Sequence, residues 1–253
     1  MEQVTSRKNP LLMKVRKLAG GSGKVRREEQ LYLGDGVKLL EEAVQWKAPL
    51  RTVVVSEGVA APPVPDGVRV VVVPGDVMES ISPMQTPQGA LFLCQLPDTA
   101  PPEQLTGQRY LVLDGVQDPG NVGTIWRTAD GLGIDGIFLM DGCASPYHPK
   151  TVRASMGACF RMPVWECSRE ELVKLLGRSQ LPLYATALRE DTIDVREASM
   201  TRCAVVVGSE GQGVSQFLLE QSEKTLKIPM QERCESLNAA IAATIILWEM
   251  VRE

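Results

Sequence analysis

Three stretches of this chain carry glycines and small polar side chains of the kind that hold and orient a ligand. They are Asp118–Asp130 (DPGNVGTIWRTAD), Gly208–Gly213 (GSEGQG) and Ile228–Asn238 (IPMQERCESLN). Each follows a short apolar run that reads as a β-strand, and in open parallel sheets ligands sit at the carboxyl ends of strands. Asn121, Arg127, Glu210, Ser236 and Asn238 are among the polar side chains these stretches offer. Each has a plainer alternative: asparagine or serine caps a helix, a helical arginine makes a surface ion pair, a loop glutamate faces solvent. Glu210 follows no helical periodicity, which favours function for it.

Other chemistries fail on spacing. Gly131-Leu132-Gly133-Ile134-Asp135-Gly136 spells the dinucleotide fingerprint, but that fingerprint needs a strand before it and a helix after it. Here the glycines end a helix and lead into a strand, so a helix C-cap is expected. Gly23-Lys24 lacks the first glycine and the following Ser or Thr of a phosphate-binding loop. His148 is the sole histidine and no serine sits in a G-x-S-x-G elbow, which argues against a hydrolytic triad. The six cysteines (Cys94, Cys143, Cys159, Cys167, Cys203, Cys234) show no paired spacing, so they read as core or surface thiols and no metal is expected.

Hydrophobic patterning supplies the elements that must position these residues. In the first hundred residues, helices are expected at 11–19 and 37–46 and strands at 51–55, 68–73 and 90–95, with a glycine break at 20–23 and a proline-rich loop at 61–67. The prolines of 97–103 read as a linker. Beyond it a strand at 110–114, a helix at about 121–131 and a strand at 136–140 form a βαβ unit. Later strands are expected at 183–186, 203–207 and 225–228, with helices near 170–176, 214–221 and 238–251. The apolar strands imply a buried, mostly parallel sheet. The last helix is apolar around most of its circumference, so a second subunit is expected to cover part of it.

Composition agrees with an ordinary globular chain of 253 residues, 44% hydrophobic and 23% charged. The apolar run 239–248 is too short to cross a bilayer, the N-terminus has no signal-like apolar region, and a reducing cytoplasm is expected. Net charge is −4, but residues 1–30 hold eight basic and three acidic groups, which leaves −9 on the remainder. A basic arm of this kind engages phosphates, although a solvated helix face reads equally well.

In chain order, N-x-G-x-x-x-R-T-A from Asn121, G-S-E-G from Gly208, and I-P-M with S-L-N-x-x-x-A from Ile228 closely resemble the three motifs of the SpoU (TrmH) family in the SPOUT superfamily. The resemblance is strong over about 109–253. It implies an α/β chain in which a small ribosomal-protein-like α/β domain (1–98) is joined by a linker (99–108) to a mostly parallel SPOUT methyltransferase domain (109–253) with a deep trefoil knot. Thr5–Pro10 and Leu31–Gly36 resemble the family's substrate-binding domain, with Asp35 where glutamate is usual, and Arg153–Ala158 resembles a recurrent segment beside its catalytic centre.

The implied activity is transfer of a methyl group from S-adenosyl-L-methionine to an RNA ribose 2′-oxygen. The implied catalytic set is Asn121, Arg127, Glu210, Ser236 and Asn238, and the implied donor site is Thr186, Gly208, Glu210, Gly211, Ile228, Met230, Ser236 and Leu237. Arg7, Lys8, Lys14, Arg26, Arg27 and Arg153 are expected at RNA phosphates. Arginine is a poor base, so Arg127 is expected to clamp a phosphate and stabilise an alkoxide. A homodimer acting on structured ribosomal RNA (23S-type) is favoured, because helical extensions typical of tRNA-directed members are not seen beyond Glu253. The alternatives are a tRNA 2′-O-methyltransferase and a non-catalytic RNA-binding ribosome assembly factor.

Overall fold

A computed structural model describes residues 2–187, 189, 192–231, 233 and 236–252. The chain begins β1 (Glu2–Gln3), α1 (Pro10–Ala19), α2 (Gly23–Glu29), β2 (Leu31–Asp35), α3 (Val37–Gln45), β3 (Leu50–Ser56), β4 (Arg69–Val73), α4 (Gly75–Ile81) and β5 (Ala90–Gln95). It continues β6 (Arg109–Asp114), α5 (Pro119–Gly131), β7 (Gly136–Leu139), α6 (Pro149–Ala154), β8 (Val164–Glu166), α7 (Arg169–Arg178), β9 (Leu183–Thr186) and β10 (Ile193–Asp194). The last elements are β11 (Cys203–Gly208), α8 (Gln216–Glu220), β12 (Lys224–Lys227) and α9 (Ala239–Val251). No helix among the described residues is long and apolar enough to cross a membrane.

Two compact units result: Met1–Asp98 with Ser145–Arg161, and Thr99–Ala144 with Met162–Glu253. The first holds a mixed sheet in the order β1-β4-β3-β5-β2, with β5 antiparallel to both its neighbours. Leu12, Val15 and Leu18 of α1 pack with Val77 and Ile81 of α4 on one face of that sheet. The excursion 145–161 joins this unit through α6, with Tyr147 against Tyr32 (4.8 Å between ring centroids) and Phe160 against Phe92 (6.4 Å).

In the second unit every strand pairs in parallel, in the order β10-β12-β9-β11-β6-β7-β8. Its central strands are buried almost throughout, which accounts for their continuous apolar sequences. The segments after β6, β11 and β12 thus leave the same edge of the sheet. At that edge stand the three stretches singled out by their residue types.

Several boundaries differ from expectation. The fifth helix starts at Pro119, because Asp118 caps it and a first-turn proline needs no donor. The Gly20–Gly23 break is real, yet α2 resumes directly from Gly23. The eighth helix is limited to Gln216–Glu220. Gly133 ends the α5 region at φ +70° and Gly136 opens β7, so these glycines terminate a helix as expected. Cys234 lies outside the described residues. Burial pushes the thiols of Cys94, Cys167 and Cys203 up to about 12 and that of Cys143 to about 11, which keeps them protonated and inert.

Candidate functional site

The site assembles from strand ends. After β6, Asp118 accepts a hydrogen bond at 2.9 Å from the Asn121 backbone N–H, so the cap is Asp118 and the Asn121 side chain is released from that task. Helix α5 buries Val122, Ile125, Trp126 and Ala129 and leaves Thr124 and Arg127 exposed. Six residues on a helix turn through about 600°, so Arg127 projects roughly 120° around the axis from Asn121. Among the described residues Arg127 has no hydrogen bond or ion pair, and Glu210 takes its hydrogen bond from Asn121 instead.

After β11 the chain makes a tight loop. Ser209 and Gly213 bridge across it, with Gly213 at φ +67° donating its N–H to the Ser209 carbonyl at 3.0 Å. A Cβ on Gly208 would meet the Gly213 carbonyl carbon at 2.0 Å and the Val214 nitrogen at 2.3 Å. Glycine at 208 is therefore required by the loop's own backbone. The loop presents Glu210 at its tip, exposed.

The third segment leads into α9. Asn238 is its N-cap, and its side-chain oxygen accepts from the N–H groups of Ala240 (2.9 Å) and Ile241 (3.3 Å). That cap fixes the orientation of the amide, because its oxygen must face the helix. Its Nδ2 then donates to Asn121 Oδ1 at 3.2 Å, and Asn121 Nδ2 donates to Glu210 Oε1 at 2.6 Å. A helix terminus thus sets the polarity of a directed relay through Asn238, Asn121 and Glu210, one residue from each motif.

Beside this relay lies a cleft of about 330 Å³, lined by residues of the second unit from the ends of β9, β11 and β12 and the start of α9. Val207, Leu226, Ile228, Met230, Leu237 and Ala239 supply apolar walls, and Thr186, Ser209, Glu210 and Ser236 supply polar groups. The size and the mixture suit a small organic ligand with an apolar body and a few anchored polar groups. Thr186 Oγ1 is itself held by the Val206 carbonyl at 3.1 Å, which keeps the edge of the cleft rigid.

Of the residues expected at a donor site, Thr186, Gly208, Glu210, Ile228, Met230, Ser236 and Leu237 line the cleft, while Gly211 is not part of its lining. Sequence reasoning missed Ala187, Val207, Leu226, Lys227, Ala239 and Ala242, and marked Ser209 and Gly213 only as members of the glycine loop. Periodicity marked the missed residues only as strand-end and helix positions. Asp114 was also missed; as a carboxylate closing an apolar strand it carried a signal.

The expected phosphate-binding residues lie in the first unit. Arg7, Lys8 and Arg27 are exposed, Arg7 pairs with Asp76 at 2.6 Å, and Lys14 pairs with Glu29 at 2.7 Å. Arg26 is buried, donating to the Gly21 carbonyl at 2.7 Å. Arg153 is half-buried and contacts the Met84 sulfur.

Residues 108–248 match the SpoU rRNA methylase family, and residues 9–91 match the MRM3-like substrate binding domain. The 23S rRNA (guanosine(2553)-2′-O)-methyltransferase RlmP of Bacillus subtilis is 32% identical over 252 residues, which span 99% of each chain. The AdoMet-bound rRNA methyltransferase of Sinorhizobium meliloti superposes with a TM-score of 0.87 at 29% identity, covering 98% of this chain and 97% of that one. The SpoU methyltransferase AviRb of Streptomyces viridochromogenes, in complex with the cofactor AdoMet, gives a TM-score of 0.84 at 25% identity over 96% and 97% of the two chains.

Proposed function

The chain belongs to the SpoU rRNA methylase family, and from that premise we propose that it methylates a ribose 2′-oxygen of ribosomal RNA. Class and donor follow from the family: it is an RNA methyltransferase that uses S-adenosylmethionine. The observation that carries the reading is the Asn238–Asn121–Glu210 relay beside the cleft, since three segments up to 117 residues apart converge on it.

The cleft fits that donor in size and in the balance of its lining. When bound, S-adenosylmethionine supplies an electrophilic methyl group. Leu226, Ile228, Met230 and Leu237 would enclose its apolar parts and exclude water, while Thr186, Ser209 and Ser236 would anchor polar ones. Glu210 is held in one orientation by Asn121, so no reorganisation is needed when the acceptor arrives. Arg127 clamps the phosphate next to the reacting ribose and stabilises the negative charge that develops on the 2′-oxygen; a guanidinium only donates hydrogen bonds, so the hydroxyl proton leaves to water. Alignment of oxygen and methyl supplies much of the acceleration, on the order of 7–11 kcal/mol.

A ribosomal substrate is favoured by the match of both units to a full-length relative acting on 23S rRNA. In this reading Arg7, Lys8, Arg27 and Arg153 contact RNA phosphates. A homodimer is part of the proposal: Ile241 (53% exposed) and Trp248 (58%) lie seven residues apart on one face of α9, an apolar stripe that a second copy would cover. The knotted path and a cytoplasmic location belong to the same proposal.

Isothermal titration with S-adenosylmethionine, paired with methyl transfer to ribosomal RNA, tests it. Arg127→Ala is expected to bind the donor within about twofold of wild type and to lose turnover by roughly 10²–10³-fold. Retained turnover would remove Arg127 from its role, and no donor heat from the folded wild type would favour a binding module.

A further inference from the structure

Asp114 closes β6 and is only 2% exposed, yet it lines no part of the cleft. Its Oδ1 accepts from Arg169 Nε at 3.0 Å and Nη2 at 2.5 Å, and its Oδ2 accepts from the Ser215 backbone N–H at 2.8 Å. Both oxygens are thus committed, one to the first residue of α7 and the other to the residue that caps α8. In the sheet Asp114 stands opposite Gly208, the last residue of β11. The loop carrying Glu210 leaves β11 beside Asp114 and is fastened back to the same carboxylate at Ser215.

We infer that Asp114 is a positioning residue for the methyl-transfer site, acting through the Ser209–Ser215 loop, with Arg169 as its counter-charge. The inference rests on the methyltransferase reading for its kinetic consequence and on geometry alone for its structural one. The same residue begins the turn through Gly115 to Asp118 and α5, which carries Asn121. A Cβ on Gly115 would come within 3.8 Å of the Ser209 Cβ, so the two loops run side by side from this point. One carboxylate therefore sets the spacing of both halves of the 2.6 Å Asn121–Glu210 contact. A buried carboxylate can do this only with its charge compensated, which is the part played by the fork of Arg169.

Two variants separate this from simple fold support. Asp114→Asn keeps an acceptor oxygen but loses the charge that Arg169 pairs with. Ser215→Pro deletes the N–H donor at a residue whose φ of −60° proline accepts, and leaves the ion pair untouched. With full-length protein, well below its unfolding temperature, each is expected to lower kcat by roughly 100-fold while KM for RNA stays within about twofold, because a misplacement on the order of 1 Å is costly only to the chemical step. Hydrogen exchange in wild type and variants gives a readout independent of turnover. Amides of 209–214 are expected to exchange at least about tenfold faster in both variants, with β6 and β7 unchanged.

Wild-type kcat and loop protection in Ser215→Pro would overturn the inference. So would a fall in thermal stability with kcat unchanged for the folded fraction in both variants. Should the wild type transfer no methyl group, the methyltransferase reading fails by itself, and the exchange data still decide whether Asp114 holds the loop.

Discussion

Asp35 closes β2 in the first unit and Asp114 closes β6 in the second; they are 6% and 2% exposed, and a glycine of positive φ follows each (109° at Gly36, 73° at Gly115). Their electrostatic situations are opposite. Asp114 has both oxygens committed to Arg169 and Ser215, whereas neither oxygen of Asp35 has a hydrogen-bond partner among the described residues. Burial raises the Asp35 carboxyl above its ordinary range, and the charge of Arg153 opposes that shift only in part. A strand-end Asp-Gly therefore specifies a turn and a buried oxygen pair, and residues far along the chain decide whether it becomes a rigid anchor. In the second unit the anchor serves the site. The first unit retains a carboxylate without hydrogen bonds among the described residues, only partly offset by Arg153, one of the residues proposed to contact RNA.

The largest expected effect comes from making Asp114 resemble Asp35. Arg169→Ala strands the buried carboxylate, and such losses run to about 3–5 kcal/mol. Urea unfolding monitored by amide exchange within the second unit is expected to show that loss, with the first unit unaffected. A change below about 1 kcal/mol would mean that Asp114 is satisfied by Ser215 alone.

The converse experiment is smaller. Because the folded pKa of Asp35 lies above its unfolded value, the folded state keeps a proton that the unfolded state releases, and stability falls as pH rises above about 4. Asp35→Asn removes that penalty. At neutral pH it is expected to raise the melting temperature by roughly 2–4 °C, the shift of about 1 kcal/mol in a chain of this size, and to flatten the slope. A lower melting temperature would show that the charge of Asp35 stabilises the unit, most directly through Arg153.

The smallest effect concerns the segment 145–161. His148 caps α6, its Nδ1 accepting from the Lys150 N–H at 3.2 Å, and its imidazole packs on Gly21. Burial lowers its pKa, and Arg26 and Lys150 lower it further. The neutral ring is the stabilising form, so its contribution is present above about pH 6.5 and is lost as pH falls through the depressed folded value. His148→Asn keeps a capping acceptor without the titration, and is expected to abolish this acid loss at a cost below about 1 kcal/mol. Exchange of the α6 amides from pH 7 to 5 measures it, and an unchanged acid slope would place the titration elsewhere.

The same contrast explains what could be read from sequence. Asn121, Glu210 and Asn238 were legible because side-chain type, glycine spacing and strand ends all pointed to one edge of a parallel sheet, and the structure joins them directly. The strands β6 and β11 were legible because burial on both faces writes an unbroken apolar run. The role of Asp114 was not: a carboxylate at the end of an apolar strand is visible, but its partners lie 55 and 101 residues away and nothing local marks them. Nor was the membership of 145–161 in the first unit, which rests on Tyr147 and Phe160 meeting Tyr32 and Phe92. Short elements such as α2 and α4 escaped because seven residues give too few turns for a periodic signal.

In the proposed function, three separated segments build one place where a methyl group meets a ribose oxygen. Full-length protein, S-adenosylmethionine labelled in its methyl group, and unmodified ribosomal RNA followed by complete alkaline hydrolysis test it most directly, since alkaline cleavage requires a free 2′-hydroxyl. The account predicts label in an alkali-resistant dinucleotide, and its loss with Asn238→Asp, which still caps α9 but has no N–H to give Asn121. Label on a base, or undiminished label from Asn238→Asp, would contradict it.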